Sequence, residues 1–495
     1  MTEFELKLEI PPKSLRRVAT AMRKGKTTTQ GLHARYFDTE DGLLAKHRLV
    51  VRVRREGSHW VQTAKGPSAG MLERLEHNVE IAVSAHAEVP AVDLKRHLGT
   101  PVGQKILQAL KLKPNQAFPD MLLLYEVDVQ RLKRIIECSG SLVEVALDQG
   151  RILAGAHSLN LYELEFELKD GAPDHAVQLA REWCAQHGLW LSSITKSMKG
   201  QGLRSGRSIG SAVSATAPEF DHRADGTQIV HAALQSCLKQ VLANASEVAT
   251  GNADHGCIHQ LRVGIRRLRT ALRELAPLAE EIDPAWAVPL EEAFRALGQH
   301  RDKSRIGLDM QPKIEAAGGP VLDCHGAGAD ILDPGTVVRA PVFQDVLLYL
   351  IGFAHRATSR DGCQTHKVAK KVLRTRFKKI YSQLVSDGHN FSLLDETQQH
   401  RTRKRLKRLR YLAEFCAPLF SARKTKAFVD ALLPMQAALG FYNDELVALE
   451  AYRELATQDP RALFAVGWLS ARREANSKVC RKELEALAKV SPYWR

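Results

Sequence analysis

Two short segments carry charge at a spacing that chemistry can use. Glu3-Phe4-Glu5-Leu6-Lys7 and Glu163-Leu164-Glu165-Phe166-Glu167 alternate ionisable with apolar residues. On strands, Glu3, Glu5 and Lys7 share one face, as do Glu163, Glu165 and Glu167. Placed side by side, two such strands gather roughly four to six carboxylates within a few ångströms, a cluster that repels itself and stays partly protonated without a counter-ion. A hard divalent cation, Mg²⁺ or Mn²⁺, resolves the conflict because it prefers carboxylate and water oxygens. The bases Arg52, Arg54, Lys65, Arg74, Arg131, Lys133 and Lys196 fall on other segments and are expected to line the remaining wall. Fixed cations beside a carboxylate-held metal suit a triphosphate, whose charge is neutralised along its length while the metal positions or activates a water for in-line attack at phosphorus.

A second pattern has helical spacing. His259, Arg262, Arg266, Arg269 and Arg273 fall on one stripe, with Leu261, Ile265, Leu268 and Leu272 opposite. The pattern recurs as His400, Arg403, Lys407 and Arg410, with Leu406, Leu409 and Leu412 opposite. Downstream of each, Leu297-Gly298-x-x-Arg301-Asp302 matches Leu439-Gly440-x-x-Asn443-Asp444, so the two offsets are 141 and 142 residues. Two matches in one register indicate a duplicated helical unit. Like charges stacked along one helix face destabilise it, and a bound polyanion is the natural compensation. Lys407 stands where the first copy has Arg266, supplying charge but no bidentate fork. Asp302 and Asp444 are expected to pair with nearby arginines.

These motifs need a scaffold with two periods. To about Gly202 the pattern is mainly period two, with strands expected at Glu3–Glu9, His33–Asp38, Val51–Arg54, His59–Lys65, Glu73–Val83, Met121–Ile136, Leu142–Asp148 and Tyr162–Leu168. Helices are expected near Lys13–Arg23, Pro101–Leu110 and Pro173–His187. Because charge is sorted by strand, closing the sheet with its charged face inward is the preferred arrangement. The Ser-, Gly-, Ala- and Pro-containing stretch that follows reads as a linker, and beyond it the period is helical throughout. The predicted class is multi-domain α+β: an eight-stranded antiparallel β-tunnel with helices at 1–202, a linker at 203–227, and an all-α duplicated bundle at 228–495, with repeats of about 228–335 and 336–495.

The 495 residues carry a net charge of +15, which points to an anionic partner. Aromatics make up only 6% and do not interleave with the basic stripes, which argues against nucleic acid. The eight cysteines are scattered singly, the N-terminus has no signal-peptide pattern, and the most apolar stretch, Val346–Ala354, is too short to span a bilayer. A cytoplasmic protein with reduced thiols and no membrane partner is expected.

The N-terminal motifs resemble those of the CYTH proteins, the triphosphate tunnel metalloenzymes. The resemblance runs in order through Glu3-x-Glu5-x-Lys7, Tyr36-Phe37-Asp38-Thr39, Arg52-x-Arg54, Thr63-Ala64-Lys65, Arg74-Leu75-Glu76, Arg131, Glu144 to Gly150, Glu163-x-Glu165-x-Glu167 and Lys196. It implies hydrolysis of inorganic tripolyphosphate to pyrophosphate and phosphate, with metal on Glu3, Glu5, Glu163 and Glu165. It also implies phosphate contacts from Lys7, Arg52, Arg54, Lys65, Arg131 and Lys196, to which Arg74 and Lys133 are added. Glu76, Glu144 and Asp148 match acidic positions whose role is metal ligation, water orientation or pairing with a base. Glu76 joins Glu3, Glu5, Lys7 and Lys65 as a catalytic candidate, and Asp148 joins the metal set. Relatives cyclise ATP or cleave thiamine triphosphate; the cyclase branch has extra residues before this motif, where here only Met1 and Thr2 precede Glu3. The helical half resembles the CHAD family, which implies one groove for long-chain polyphosphate lined by His259, Arg262, Arg266, Arg269, His400, Arg403, Lys407 and Arg410. Arg267, Lys404, Arg408 and Tyr411 stand behind them. The alternatives are a polyphosphate-binding protein without turnover and a tunnel acting on an organic triphosphate. Association with polyphosphate granules is an expectation of the same resemblance.

Overall fold

The computed structural model describes residues 2–68, 73–81, 89–206, 210–252, 254–279, 281–322, 332–356 and 364–494; the side chains of Thr2, Glu3, Glu73, Arg74, 301–306 and 308 lie outside what it describes. The chain divides into two compact units, one of residues 1–213, 242–257 and 338–357, the other of residues 214–241, 258–337 and 358–495.

In the first unit the alternating segments form β1 (Thr2–Glu9), β2 (Thr28–Asp38), β3 (Val50–Glu56), β4 (His59–Pro67), β5 (Glu73–Ile81), β6 (Leu122–Cys138), β7 (Ser141–Ala154), β8 (His157–Asp170) and the short β9 (Trp190–Leu191). Ala82 and Val83, expected to continue β5, lie outside the described residues. The antiparallel order β5-β4-β3-β2-β6-β7-β8-β1 is closed by pairing of β1 with β5, through Thr2–Leu75, Glu3–Arg74 and Phe4–Glu73. Closure thus joins β1 to β5 over these three positions, Glu73–Leu75. β9 adds only Leu8–Leu191 and Glu9–Trp190 beside β1.

The helices of this stretch are α1 (Leu15–Met22), α2 (Leu43–Lys46), α3 (Pro101–Leu110), α4 (Pro173–His187) and α5 (Lys196–Arg204). Leu6, Leu8, Val143, Val145, Leu147, Leu164 and Phe166 occupy the apolar face of β1, β7 and β8 and are at most 1% exposed; Phe166 meets Trp183 of α4 edge-on. Val51 and Ala64 pack with Val102, Ile106 and Ala109 of α3. α5 was not expected from the apolar period. It begins at an N-cap, Thr195, whose hydroxyl accepts from the Met198 amide.

Outside the barrel's charged face buried His97 meets half-buried His77. Gln62 Oε1 accepts from the Asp93 amide and Arg96, so its Nε2 donates to the Asp93 carbonyl and to His97 Nε2, 2.9 Å away. His97 therefore donates through Nδ1 to His77 Nδ1, also at 2.9 Å, and must be neutral. Burial, then His77 and Arg96, lower its pKa to about 4. A histidine kept neutral in the fold stabilises above its unfolded pKa of about 6.5, and that contribution drains away as pH falls toward 4. Histidine-selective ¹⁵N spectra are expected to show His97 neutral at pH 6 and titrating near pH 4; a midpoint at the ordinary value would contradict the network.

The remaining helices are α6 (Gly226–Ala249), α7 (His255–Leu275), α8 (Ala287–Arg305), α9 (Gln311–Ala316), α10 (Pro334–Arg339), α11 (Pro341–His355), α12 (His366–His389), α13 (Glu396–Phe415), α14 (Ala422–Ala456) and α15 (Leu463–Leu487). The apolar faces of the two stripe helices are buried as their spacing requires: Leu261, Ile265, Leu268 and Leu272 on α7, and Leu406, Leu409 and Leu412 on α13, are all at most 4% exposed. α13 starts at a capping box made by Asp395 and Gln398. No described helix is long and apolar enough to cross a membrane. The six described cysteines are unbridged, five of them buried; Cys324 and Cys363 lie outside the described residues.

Candidate functional site

Strand register brings the expected acids together. Lys7 opposes Glu165 and Glu9 opposes Glu163 across β1 and β8, Asp148 opposes Glu163 across β7 and β8, and Arg131 opposes Asp148 across β6 and β7. One carboxylate oxygen from each of Asp148, Glu163 and Glu165 lies within 4.8 Å of the others. Glu5 shares the face of Lys7 and Glu9. Glu3 belongs to that face by parity, but its side chain and that of Arg74 lie outside the described residues.

Cations thread this cluster. Lys196 Nζ is 2.9 Å from Asp148, 2.7 Å from Glu163 and 2.5 Å from Glu165. Lys199, one turn along α5, reaches Glu163 at 2.8 Å and Glu9 at 2.7 Å, and Lys7 reaches Glu163 at 3.1 Å. Arg131 forks onto Asp148 at 2.7 and 2.6 Å and touches Glu165 at 2.5 Å. Burial alone would raise the Glu163 carboxyl, but Lys196, Lys7 and Lys199 outweigh it and hold it well below the usual carboxylate range. Burial likewise opposes the charged form of Lys196, yet Glu163, Glu165 and Asp148 raise its pKa. For Lys7 burial wins, and its pKa is lowered. Glu163 is thus held ionised in a buried site where Asp148 and Glu165 converge on it. Convergent carboxylates are the donor set a hard divalent cation requires, and the Lys196 ammonium lies among the same three side chains.

Along the rest of the charged wall three bases each meet an acid of their own or a neighbouring strand. Lys65 meets Glu76, Arg54 meets Glu56, and Lys133 meets Glu144 at 3.2 Å. Burial opposes ionisation of Glu76, but Lys65 and Arg52 lower its pKa to about 2. Arg52 donates to the Tyr36 hydroxyl at 3.4 Å and has no carboxylate ion pair among the described residues. Asp38 and Thr39 are structural: Asp38 accepts from the amides of Thr39, Leu44 and Ala45 and starts α2.

Charge does not fill the whole of this face. Leu32, Ala34, Tyr36, Tyr125, Val127, Val129, Ile152 and Leu161 form an apolar cluster on the same face, against which Leu203 of α5 packs. Tyr36 stacks on Tyr125, ring centroids 4.7 Å apart, and Tyr125 donates to Ser197 Oγ at 2.9 Å. One face of α5 therefore serves both regions, with Lys196 and Lys199 on the acids and Leu203 on the apolar cluster. A Cβ on Gly200 would meet the Tyr125 ring at 2.2 Å. Gly200→Val is expected to push α5 off this seat and uncouple both lysines from their acids. Hydrogen exchange should then accelerate across 196–204; unchanged protection would show that the close approach is not required.

In the helical unit both stripes reach one groove of about 1720 Å³, lined by Arg262, Arg266 and Arg269 of α7 and by His400, Arg403, Lys404 and Lys407 of α13. Arg262, Arg266 and Arg269 surround the Phe294 ring at 4.3, 5.3 and 5.9 Å. A Cβ on Gly298 would strike Arg262 Nη1 at 2.2 Å, which explains the glycine in that repeat; the matching Gly440 faces open space. His400 Nδ1 lies 3.1 Å from Asn443 Oδ1, and burial, with Lys404 beside it, lowers its pKa.

Other stripe-region residues do different work. Arg267, 3% exposed, pairs with Glu414 and lies over the Tyr411 and Phe415 rings, and Arg410 reaches Glu414 at 3.5 Å. Arg267, Arg410 and Tyr411 are not among the groove-lining residues, nor is His259. Arg408, the repeat counterpart of Arg267, lines the groove and reaches Glu274 at 3.4 Å. Arg267 of α7 thus holds α13, and Arg408 of α13 holds α7, a reciprocal clamp that sequence spacing did not reveal. Asp444 lines the groove; the Asp302 side chain lies outside the described residues. Lys199 and Glu9 were missed as site residues, although Lys199 follows Lys196 at helical spacing and Glu9 continues the parity of Glu5 and Lys7.

Comparison with known proteins matches two successive segments of the chain. The family model described as the CYTH domain matches residues 1–200, and that described as the CHAD domain matches residues 232–453. An inorganic triphosphatase of Haemophilus influenzae is 28% identical over 170 residues, 33% of this chain. The chain spans 44% of that relative's length. An uncharacterized protein of Mycobacterium tuberculosis is 24% identical over 499 aligned residues, 95% of this chain and 91% of that protein. The crystal structure of the CHAD domain from the plant Ricinus communis shares 28% identity, covering 56% of this chain and 97% of that one, with a TM-score of 0.46.

Proposed function

This chain carries a CYTH domain over residues 1–200 fused to a CHAD domain over residues 232–453, and on that premise we propose that its barrel hydrolyses inorganic tripolyphosphate while its helical groove binds long-chain polyphosphate. The carrying observation is the convergence of Asp148, Glu163 and Glu165 within 4.8 Å on a strand face that also bears Lys7, Arg52, Arg54, Lys65, Arg131 and Lys133. Asp148, Glu163 and Glu165, with Glu3 and Glu5 on the neighbouring strand, are the residues to hold Mg²⁺ or Mn²⁺. Bound there, the metal supplies Lewis-acid charge toward the phosphoryl oxygens and a water of lowered pKa. Arg52, Arg54, Lys65, Arg131 and Lys133 bind and orient the anhydride chain, and Lys7 and Lys196 add charge beside the carboxylates. Arg131 also holds Asp148 in place through its fork.

Tyr36 and Tyr125 are 4% and 3% exposed and stacked on each other, so this aromatic pair offers no free face to a base or thiazole ring. That favours an inorganic substrate over ATP or thiamine triphosphate. The test is phosphate release from tripolyphosphate, ATP and thiamine triphosphate, with Mg²⁺, Mn²⁺ or chelator. The expected result is metal-dependent release that is fastest from tripolyphosphate. A faster organic substrate would reassign the tunnel, and no release from any of them would leave a binding protein.

A further inference from the structure

We infer that the helical unit contains a second oxyanion site, sized for orthophosphate or pyrophosphate, in a pocket beside the groove and organised around the buried carboxylate of Glu274. The pocket, about 250 Å³, is lined by Arg273 and Glu274 of α7, Arg376 and Lys379 of α12, and Arg405 and Arg408 of α13. Three helices therefore deliver five cations and one carboxylate to a space that holds roughly eight waters at about 30 Å³ each.

Glu274 is 2% exposed and works from behind the pocket. It accepts from Arg376 Nη2 at 2.9 Å and lies 3.4 Å from Arg408 and 3.5 Å from Arg273. Its single charge sets the orientation of three guanidinium forks without balancing them. Arg405 has a separate partner in Asp387, and no carboxylate among the described residues offsets Lys379. The Nε atoms of Arg376 and Arg408 are buried and donate to no acceptor among the described residues. Buried donors left without acceptors cost about 1–3 kcal/mol each. Crowded guanidiniums repel as well; burial and then the neighbouring arginines, opposed by Glu274, lower the pKa of Arg408. A multivalent oxyanion answers both conditions, since its oxygens accept from fixed forks and its charge offsets the surplus.

The pocket is separable from the groove. Arg273, Arg405 and Arg408 line both, whereas Arg376, Lys379 and Gln383 line the pocket alone. Lys379 is exposed, so replacing it leaves the packing of α12 intact. The inference is independent of what the barrel hydrolyses.

The test uses the full chain and tungstate as a heavy tetrahedral oxyanion. Crystals of the wild type soaked in tungstate are expected to show an anomalous peak among Arg376, Lys379 and Arg408, in addition to any in the groove. In Lys379→Glu the pocket peak should vanish while groove peaks persist. Dialysis against labelled pyrophosphate with chelator should give one fewer bound equivalent for Lys379→Glu, and likewise for Arg376→Gln. Groove peaks without a pocket peak in the wild type, or equal stoichiometry in all three proteins, would overturn the site while leaving the groove reading untouched.

Discussion

Glu163→Gln is expected to reduce metal-dependent phosphate release from tripolyphosphate by roughly 10²–10³-fold, the range for losing one preorganised electrostatic group. Glu163 is fully buried and meets Lys7, Lys196 and Lys199. The amide keeps the volume but removes both the charge and one metal ligand. Its NH₂ group also turns a donor toward ammonium groups that need acceptors. Removing one member of a buried ion pair costs about 3–5 kcal/mol, so the loss must be separated from unfolding. Circular dichroism at the assay temperature and retention of polyphosphate binding by the helical unit provide that control. Lys65→Ala approaches the tunnel from the other side, because Lys65 is 23% exposed and, among the described residues, pairs with Glu76 alone. A folded Lys65→Ala protein is expected to lose affinity for tripolyphosphate, raising KM, while leaving the acid cluster intact. Full activity in a folded Glu163→Gln protein, and equally in Glu3→Ala, would remove the tunnel proposal.

The sequence revealed much of this because strand parity maps directly onto geometry. Glu5, Lys7, Glu163 and Glu165 were placed by alternation, Arg131 as a base of the facing wall and Asp148 by the family resemblance; register then brought them together. Parity could not reveal that Leu32, Val127, Val129 and Ile152 extend an apolar cluster along the same face. Nor could it reveal that α5 fills that face, since a nine-residue helix with Lys196, Lys199 and Leu203 on one side has no conventional apolar stripe. The Leu439-Gly440 match lies in the middle of one helix, α14, which runs through Gly440 to Ala456. A mid-helix glycine costs only about 1 kcal/mol, and buried Tyr442, Leu449 and Tyr452 repay it. In the repeat, helical spacing placed Arg410 in the basic stripe and the resemblance set Arg267 behind it; tertiary packing turned both toward Glu414.

Arg266→Glu combined with Lys407→Glu is expected to weaken long-chain polyphosphate binding by at least about 100-fold near physiological salt. The two residues stand at matching repeat positions and line the same groove from α7 and α13. A hydrogen bond to a charged group contributes about 1.5–3 kcal/mol, so losing two approaches the about 3 kcal/mol that a 100-fold change represents. Reversing the charges adds repulsion to that loss. Each released counter-ion also steepens the dependence of log affinity on log salt, so the double variant should show a shallower slope than the wild type. Arg267→Ala supplies the contrast. It removes a positive charge from the same helix, but its partners are Glu414, Tyr411 and Phe415. Its expected signature is a lower melting temperature with the wild-type salt slope, because the clamp between α7 and α13 is lost and the groove's cations remain. Tripolyphosphate turnover should change less than about twofold in the Arg266→Glu/Lys407→Glu protein, since neither residue belongs to the barrel. If the double variant instead binds polyphosphate as tightly and with the same slope as the wild type, the two stripes are a solvated surface and the groove is not the polymer's seat.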